Sequence, residues 1–267
     1  MKKEMKNFGL FLVASLISVF CLTSCLEGNT VSEGQAFGVL NISDKSFRPV
    51  LSNTAYLLPF YSASFNSLEL GGCYFVYYSL DSDLPENAPA VVEANGYYTV
   101  SILDYIEVPK YYLKNNLTDT SEVRYGEMPI SDAMAVQALV ENNLFIIQTA
   151  KHPDDLKLEW EMSYDEVTML PTTDGEKRYY DIFIRATKTN SSSGTASDKQ
   201  HMNAYYFSSY LKTAAEKERT LLGSGYNAAY SKLPVRFNYV SEVKGDTALV
   251  WKSNLWEPYV ANFVSSN

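Results

Sequence analysis

Apolar and polar positions alternate along much of this chain with a period of two, the spacing of half-buried β-strands. Leu158, Trp160, Met162 and Tyr164 interleave with Glu159, Glu161, Ser163 and Asp165. Tyr180, Ile182 and Ile184 interleave with Asp181, Phe183 and Arg185, and Thr172-Thr173-Asp174-Gly175 lies between the two runs. Together they predict a hairpin. Further strands are expected at 142–149, 235–240 and 247–251, the last two joined through Lys244-Gly245-Asp246.

The first half is patterned in shorter pieces. Strands are expected at 37–42, 56–60, 73–80 and 97–108, with an acidic, proline-containing loop from Asp81 to Pro89 and a tight turn at Asn95-Gly96. Such short strands within about 80 residues suit a small barrel. The polar stretch 115–128 reads as a linker or a long connection. One helix breaks the β pattern. Ser197-Asp198-Lys199-Gln200 has capping-box spacing, Phe207, Tyr210, Leu211, Ala214 and Leu221 share a face, and Gly223 supplies the stop. That reading puts His201 in the helix's exposed first turn.

The N-terminus changes the picture. Three lysines precede an apolar run from Phe8 to Phe20, too short for a permanent bilayer span of about 20 residues but suited to a signal-peptide core. Leu22-Thr23-Ser24-Cys25 resembles the lipobox of bacterial lipoproteins. The expectation is cleavage before Cys25, lipid on its sulfur and attachment to a membrane. Leu26, rather than aspartate, follows the cysteine, which favours the outer membrane and leaves the periplasmic or surface side open.

Removing residues 1–24 takes away three lysines and one glutamate, so the formal charge moves from −9 to −11 over 243 residues. An acidic surface without a basic stripe repels phosphate backbones, and nucleic acid is excluded as a partner. Cys73 is then the sole unmodified cysteine, and its apolar strand context marks it as a buried, inert thiol. The 21 tyrosines and 13 phenylalanines suit both strand faces and contact surfaces.

Catalytic chemistry finds little to stand on. His152-Pro153-Asp154-Asp155 reads as a solvated turn, since zinc sites recruit more His or Cys ligands and the calcium-loop spacing is missing. Glu159 and Glu161 share a strand face, the arrangement a glycosidase needs, but alternation already accounts for them as the wet side of a sheet. Gly223-Ser224-Gly225 lacks the nucleophile-elbow frame. Asp246-Thr247-Ala248 matches a glycosylation tripeptide short enough to arise by chance. No catalytic residue, metal ligand or cofactor is expected.

With the lipobox, residues 36–42, Thr54-Ala55-Tyr56-Leu57-Leu58-Pro59, Leu70-Gly71-Gly72-Cys73-Tyr74-Phe75-Val76-Tyr77-Tyr78, 98–110 and 130–149, the chain resembles the NigD-like lipoproteins of Gram-negative gut and oral anaerobes. The resemblance implies an N-terminal OB-like barrel followed by a β-sandwich, and brings no catalytic residues. The insertion around 190–222 fits it least. The combined expectation is a mostly β protein with signal peptide 1–24, tether 25–35, OB-like domain 36–122 and β-sandwich domain 123–267 carrying one inserted helix. Its expected role is non-catalytic interaction or assembly at the cell envelope with a protein or glycan partner. The alternatives are glycan binding on tyrosines such as Tyr111 and Tyr112, and, more remotely, a hydrolase using Glu159 or Glu161.

Overall fold

The structure is a computed structural model that describes residues 30–49, 58–117, 119–165, 172–174, 177–245 and 247–264. The fold is mostly β, and its residues divide into two compact units between Val108 and Pro109.

The first unit contains β1 (Val31–Leu40), β2 (Phe47–Pro49), β3 (Phe60–Tyr61), β4 (Cys73–Asp81), a short helix α1 (Pro89–Asn95), β5 (Tyr98–Thr99) and β6 (Ser101–Val108). The strands form one sheet in the order β5-β3-β2-β1-β4-β6. β1 and β4 lie in its middle, paired antiparallel from Val31↔Asp81 to Val39↔Cys73. This position explains why β4 is apolar on both faces. Tyr74, Val76 and Tyr78 join Ala36, Leu40, Phe47 and Phe60 in the core. On the opposite face Phe75 meets the Phe37 ring at 4.3 Å, and Cys73 is buried as expected.

Three details differ from the sequence reading. β1 begins at Val31, inside the stretch read as a tether, because five further backbone pairs with β4 hold Val31–Gln35 although their side chains are mostly exposed. Asn95-Gly96 is a helix end rather than a hairpin turn: Gly96 takes φ +71°, and its amide closes the last turn on the Val92 carbonyl. The strand expected at 56–60 is reduced to β3, with residues 56 and 57 outside the described ones.

The second unit contains β7 (Lys110–Tyr112), β8 (Glu127–Met128), β9 (Ile130–Val140), β10 (Asn143–His152), β11 (Leu158–Ser163), β12 (Thr172–Asp174), β13 (Lys177–Lys188), β14 (Ser197–Tyr206), α2 (Ser208–Leu222), β15 (Val235–Lys244) and β16 (Ala248–Trp256). Two sheets, β7-β14-β10-β9 and β11-β13-β15-β16, share one core in a sandwich-like arrangement. Leu144, Ile146 and Ile130 come from the first sheet, Trp160, Ile182, Ile184 and Phe237 from the second, and Tyr210, Leu211 and Ala214 from α2. Each large apolar side chain buried this way contributes about 1.5–3 kcal/mol. The expected pairing of β11 with β13 is present, with Met162 opposite Ile184.

The helix is where its apolar stripe placed it, but its start is not. Ser197–Tyr206 is a strand, paired with β10 over ten residues, and α2 begins only at Ser208 with no side-chain cap. The capping-box spelling lost to long-range pairing, since ten cross-strand positions outweigh one cap of about 1 kcal/mol. Of the two readings of 115–128, the long connection holds for its described residues, which belong to the second unit. Carbonyls of Asp119 and Glu122 accept hydrogen bonds from Arg185, and β8 pairs with β13, so this stretch is packed onto the second unit.

Candidate functional site

Pairing β14 with β10 turns an unremarkable polar segment into a row of inward-facing groups. Tyr205, Asn203 and His201 alternate along β14, and Gln148 and His152 along the inner face of β10. Gln148 Nε2 donates to Tyr205 Oη at 2.9 Å, and Asn203 donates to Gln148 Oε1. At the outer end of the row His152 Nε2 and His201 Nε2 lie 2.8 Å apart. His152 Nδ1 sits 2.7 Å from the Pro153 carbonyl. That carbonyl can only accept, so Nδ1 carries the proton and Nε2 presents a lone pair to His201.

Trp160 lies against the His201 ring, with centroids 5.2 Å apart. Burial, then the neighbouring His152 and the charge of Lys199, pull the His201 ring down from its ordinary value to about 4. Lys199 is itself paired with the exposed Asp154. Both histidines therefore depart from the sequence reading. Pro153-Asp154-Asp155 does form the expected turn, but His152 is 4% exposed, and His201 is a strand residue facing inward. Sequence reasoning also missed Gln148 and Asn203. The one available signal was alternation through 197–205, and its inward positions are polar, so a hydrophobic pattern passes over them.

The two candidate carboxylates are placed differently from each other. Glu159 is exposed, whereas Glu161 bridges Lys114 and Arg124, the latter at 2.6 Å. A carboxylate held between two cations is stabilised in its charged form and is poorly suited to donate a proton. Nearby, Arg185 donates to both oxygens of Glu127 and to the carbonyls of Asp119 and Glu122. This cluster fastens the polar stretch to β13.

Tyr111 and Tyr112 do not form a common platform. They are neighbours on β7 and therefore point to opposite faces. Tyr111 stacks on the buried Tyr205 at 5.5 Å, and burial followed by the charge of Glu159 pushes its hydroxyl up. Tyr112 is 71% exposed, beside Tyr206 at 5.8 Å.

In the first unit three of the exposed apolar side chains belong to β6, the last strand of its sheet. Leu103, Tyr105 and Ile106 are 56%, 48% and 50% exposed. Leu103 and Tyr105 border a shallow groove whose floor includes Phe65 and Leu68. Asp104 accepts a hydrogen bond from the Tyr105 amide at 2.8 Å. That contact occupies a backbone donor which an added strand would otherwise need, a common protection of sheet edges. β6 therefore offers side chains more than a backbone ladder.

Residues 28–106 match the lipoprotein OB domain family. The matched stretch takes in the whole OB unit up to Ile106 of β6. Among solved structures, an uncharacterized protein from Parabacteroides merdae is similar to the chain at 19% identity and TM-score 0.67, covering 85% of this chain and 99% of that one. At that identity the likeness speaks to the fold across both units. A protein of unknown function from Bacteroides vulgatus matches at 18% identity and TM-score 0.46, covering 89% of this chain and 96% of that one. A NigD-like immunity protein from Bacteroides caccae matches at 10% identity and TM-score 0.44, covering 85% and 94%. Curated proteins give no match. Among the described residues no helix is long and apolar enough to cross a membrane. Cys25 lies outside the described residues.

Proposed function

We propose that the protein is an exported, non-catalytic lipoprotein of the outer membrane. In this reading residues 1–24 are removed, lipid on Cys25 holds the chain, and the protein works as an interaction or assembly module for an envelope protein. The lipobox and the lipoprotein OB domain match support the anchor. The observation that carries the interaction is the exposed pair Leu103 and Tyr105, which border one groove on β6 of the OB unit. Exposed apolar clusters of this kind are characteristic of contact sites, and aromatic residues are enriched at their centres. Glu107 stands two residues beyond Tyr105 on the same face, so the complementary surface is apolar with a basic group at its margin.

The anchor also fixes the distance between lipid and fold. Only residues 26–30 separate Cys25 from β1, which limits the span to about 20 Å even when fully extended. The OB unit therefore works close to the lipid surface. Cross-linked purification from intact envelopes, with Cys25→Ala as control, tests the proposal. Capture of a stoichiometric protein partner that is lost in the control supports it. Membrane retention of the Cys25→Ala chain removes the anchor, and a preparation free of partners removes the assembly role. A glycan reading has one observation in its favour, the exposed Tyr112 ring beside Tyr206. Titration with host and plant polysaccharides tests it.

A further inference from the structure

We propose that the protein forms a two-fold dimer by pairing the outer edge of β14 with the same edge of a second copy. β14 is paired with β10 along its whole length, from Ser197 to Tyr206. On its other side β7 covers only Ala204, Tyr205 and Tyr206. Among the described residues no strand lies against 197–203 on that side.

Backbone polarity alternates along a strand, and two contacts fix its phase here. The Ala204 amide donates to the Pro109 carbonyl, toward β7, and the Phe207 amide donates to the Asn142 carbonyl, toward β10. Even-numbered residues of β14 therefore turn their backbone away from β10. Asp198, Gln200 and Met202 each hold out an amide and a carbonyl along this edge. Asp198 and Gln200 are exposed, so water meets them. The usual protections of a sheet edge are missing. No proline interrupts 197–203, and the register with β10 runs without a bulge. The one inward charge, Lys199, is tied to Asp154.

The shape and charge of the gap select a second copy. The open stretch ends where Lys110 pairs with Ala204, and it begins with the strand itself at Ser197. Gly194 lies against Pro153 and Asp155, so the preceding chain arrives from the side of β10 and leaves the edge clear. An antiparallel copy centred on Gln200 fills the stretch. Gln200 then faces its own equivalent, Asp198 faces the second copy's Met202, and about six backbone hydrogen bonds form. Each β7 continues the line of the other copy's β14. The exposed Asp198 therefore stands about 7 Å along the strand from the second copy's Lys110, an opposite charge on the same face of the joined sheet. Two-fold symmetry makes this contact twice. A foreign strand would gain the backbone ladder alone. So short a ladder lies below the usual interface size, and the dissociation constant in solution is on the order of 100 μM.

The test uses the mature chain made soluble by Cys25→Ala, sedimented at concentrations from about 5 μM to about 1 mM. A monomer–dimer equilibrium is expected across this range. Hydrogen exchange at the same concentrations gives a reading that needs no variant at the edge. The Asp198, Gln200 and Met202 amides should exchange freely in dilute protein and gain protection as the dimer forms. Those of Lys199, His201 and Asn203 should stay protected throughout by β10. In intact envelopes the lipidated protein carrying Gln200→Cys should oxidise to a covalent dimer, because facing residues of a hydrogen-bonded pair lie about 5.5 Å apart. Asp198→Cys should not, since its two equivalents are about 13 Å apart. Asp198→Lys, a change at an exposed side chain, should weaken the dimer about fivefold. A monomer at about 1 mM, a dimer whose outward amides still exchange freely, or equal cross-linking by the two cysteine variants would each overturn the proposal.

Discussion

Arg185 and Glu127 form an ion pair inside the second unit, with side chains only 2% and 1% exposed. A pair so deeply buried contributes little net stability as a pair, but removing one member strands the other charge. Glu127→Gln is expected to destabilise the second unit by about 3–5 kcal/mol. The double replacement Arg185→Met with Glu127→Leu should cost less than either single one, although it releases the Asp119 and Glu122 carbonyls. Denaturant unfolding followed by tryptophan fluorescence measures this directly, since Trp160, Trp251 and Trp256 all lie in the second unit. A Glu127→Gln loss below about 1 kcal/mol would mean that water reaches the pair.

Acid should weaken the second unit through His201. Its ring titrates near 6.5 when unfolded and at about 4 when folded, so between these values the unfolded chain holds more protons. Stability attributable to this residue is complete above about pH 7, falls as the pH drops from 6.5 toward 4, and is flat below that. The loss amounts to about 2–3 kcal/mol. His201→Gln should flatten this part of the profile. An unchanged slope in that variant would assign the acid sensitivity to other groups.

Gly38 sits where β1 crosses β2, and a methyl group there would lie 2.2 Å from the Arg48 carbonyl oxygen and 2.7 Å from the Phe47 ring. Neither neighbour yields easily, one being backbone and the other fully buried. Gly38→Ala is expected to cost the OB unit at least about 2–3 kcal/mol. Tyrosine near-ultraviolet dichroism should show an earlier transition, while tryptophan fluorescence from the second unit holds its midpoint. A common shift of both signals would show that the two units unfold as one.

The strands were legible where alternation carried apolar residues. Leu158, Trp160 and Met162 announced β11, and Tyr180, Ile182 and Ile184 announced β13, because their inward positions are greasy. β14 is built on the same period, yet its inward positions include His201 and Asn203, and a hydrophobic reading assigned the segment to a helix start. What makes those residues inward-facing is β10, some fifty residues earlier, and no local rule contains it. The same holds for Arg185, whose burial depends on Glu127 and two distant carbonyls. Cys73, the Pro153–Asp155 turn and the Gly223 stop were legible because burial and turn chemistry there are local matters.

The β6 surface gives the sharpest separation between protein and glycan partners. Leu103→Asp combined with Tyr105→Asp places two charges on side chains already about half exposed, so the fold should keep its midpoint within about 0.5 kcal/mol per site. The same charges have to be desolvated when an apolar partner closes over β6, at a cost of several kcal/mol. Capture of the envelope protein should therefore fall by at least about a hundredfold in a chain that remains folded and anchored. Tyr112→Ala, in the second unit and more exposed still, should leave capture unchanged. If Tyr112→Ala abolishes capture while the β6 variant retains it, the contact belongs to the edge of β7 and the OB unit is only the spacer that carries it from the lipid.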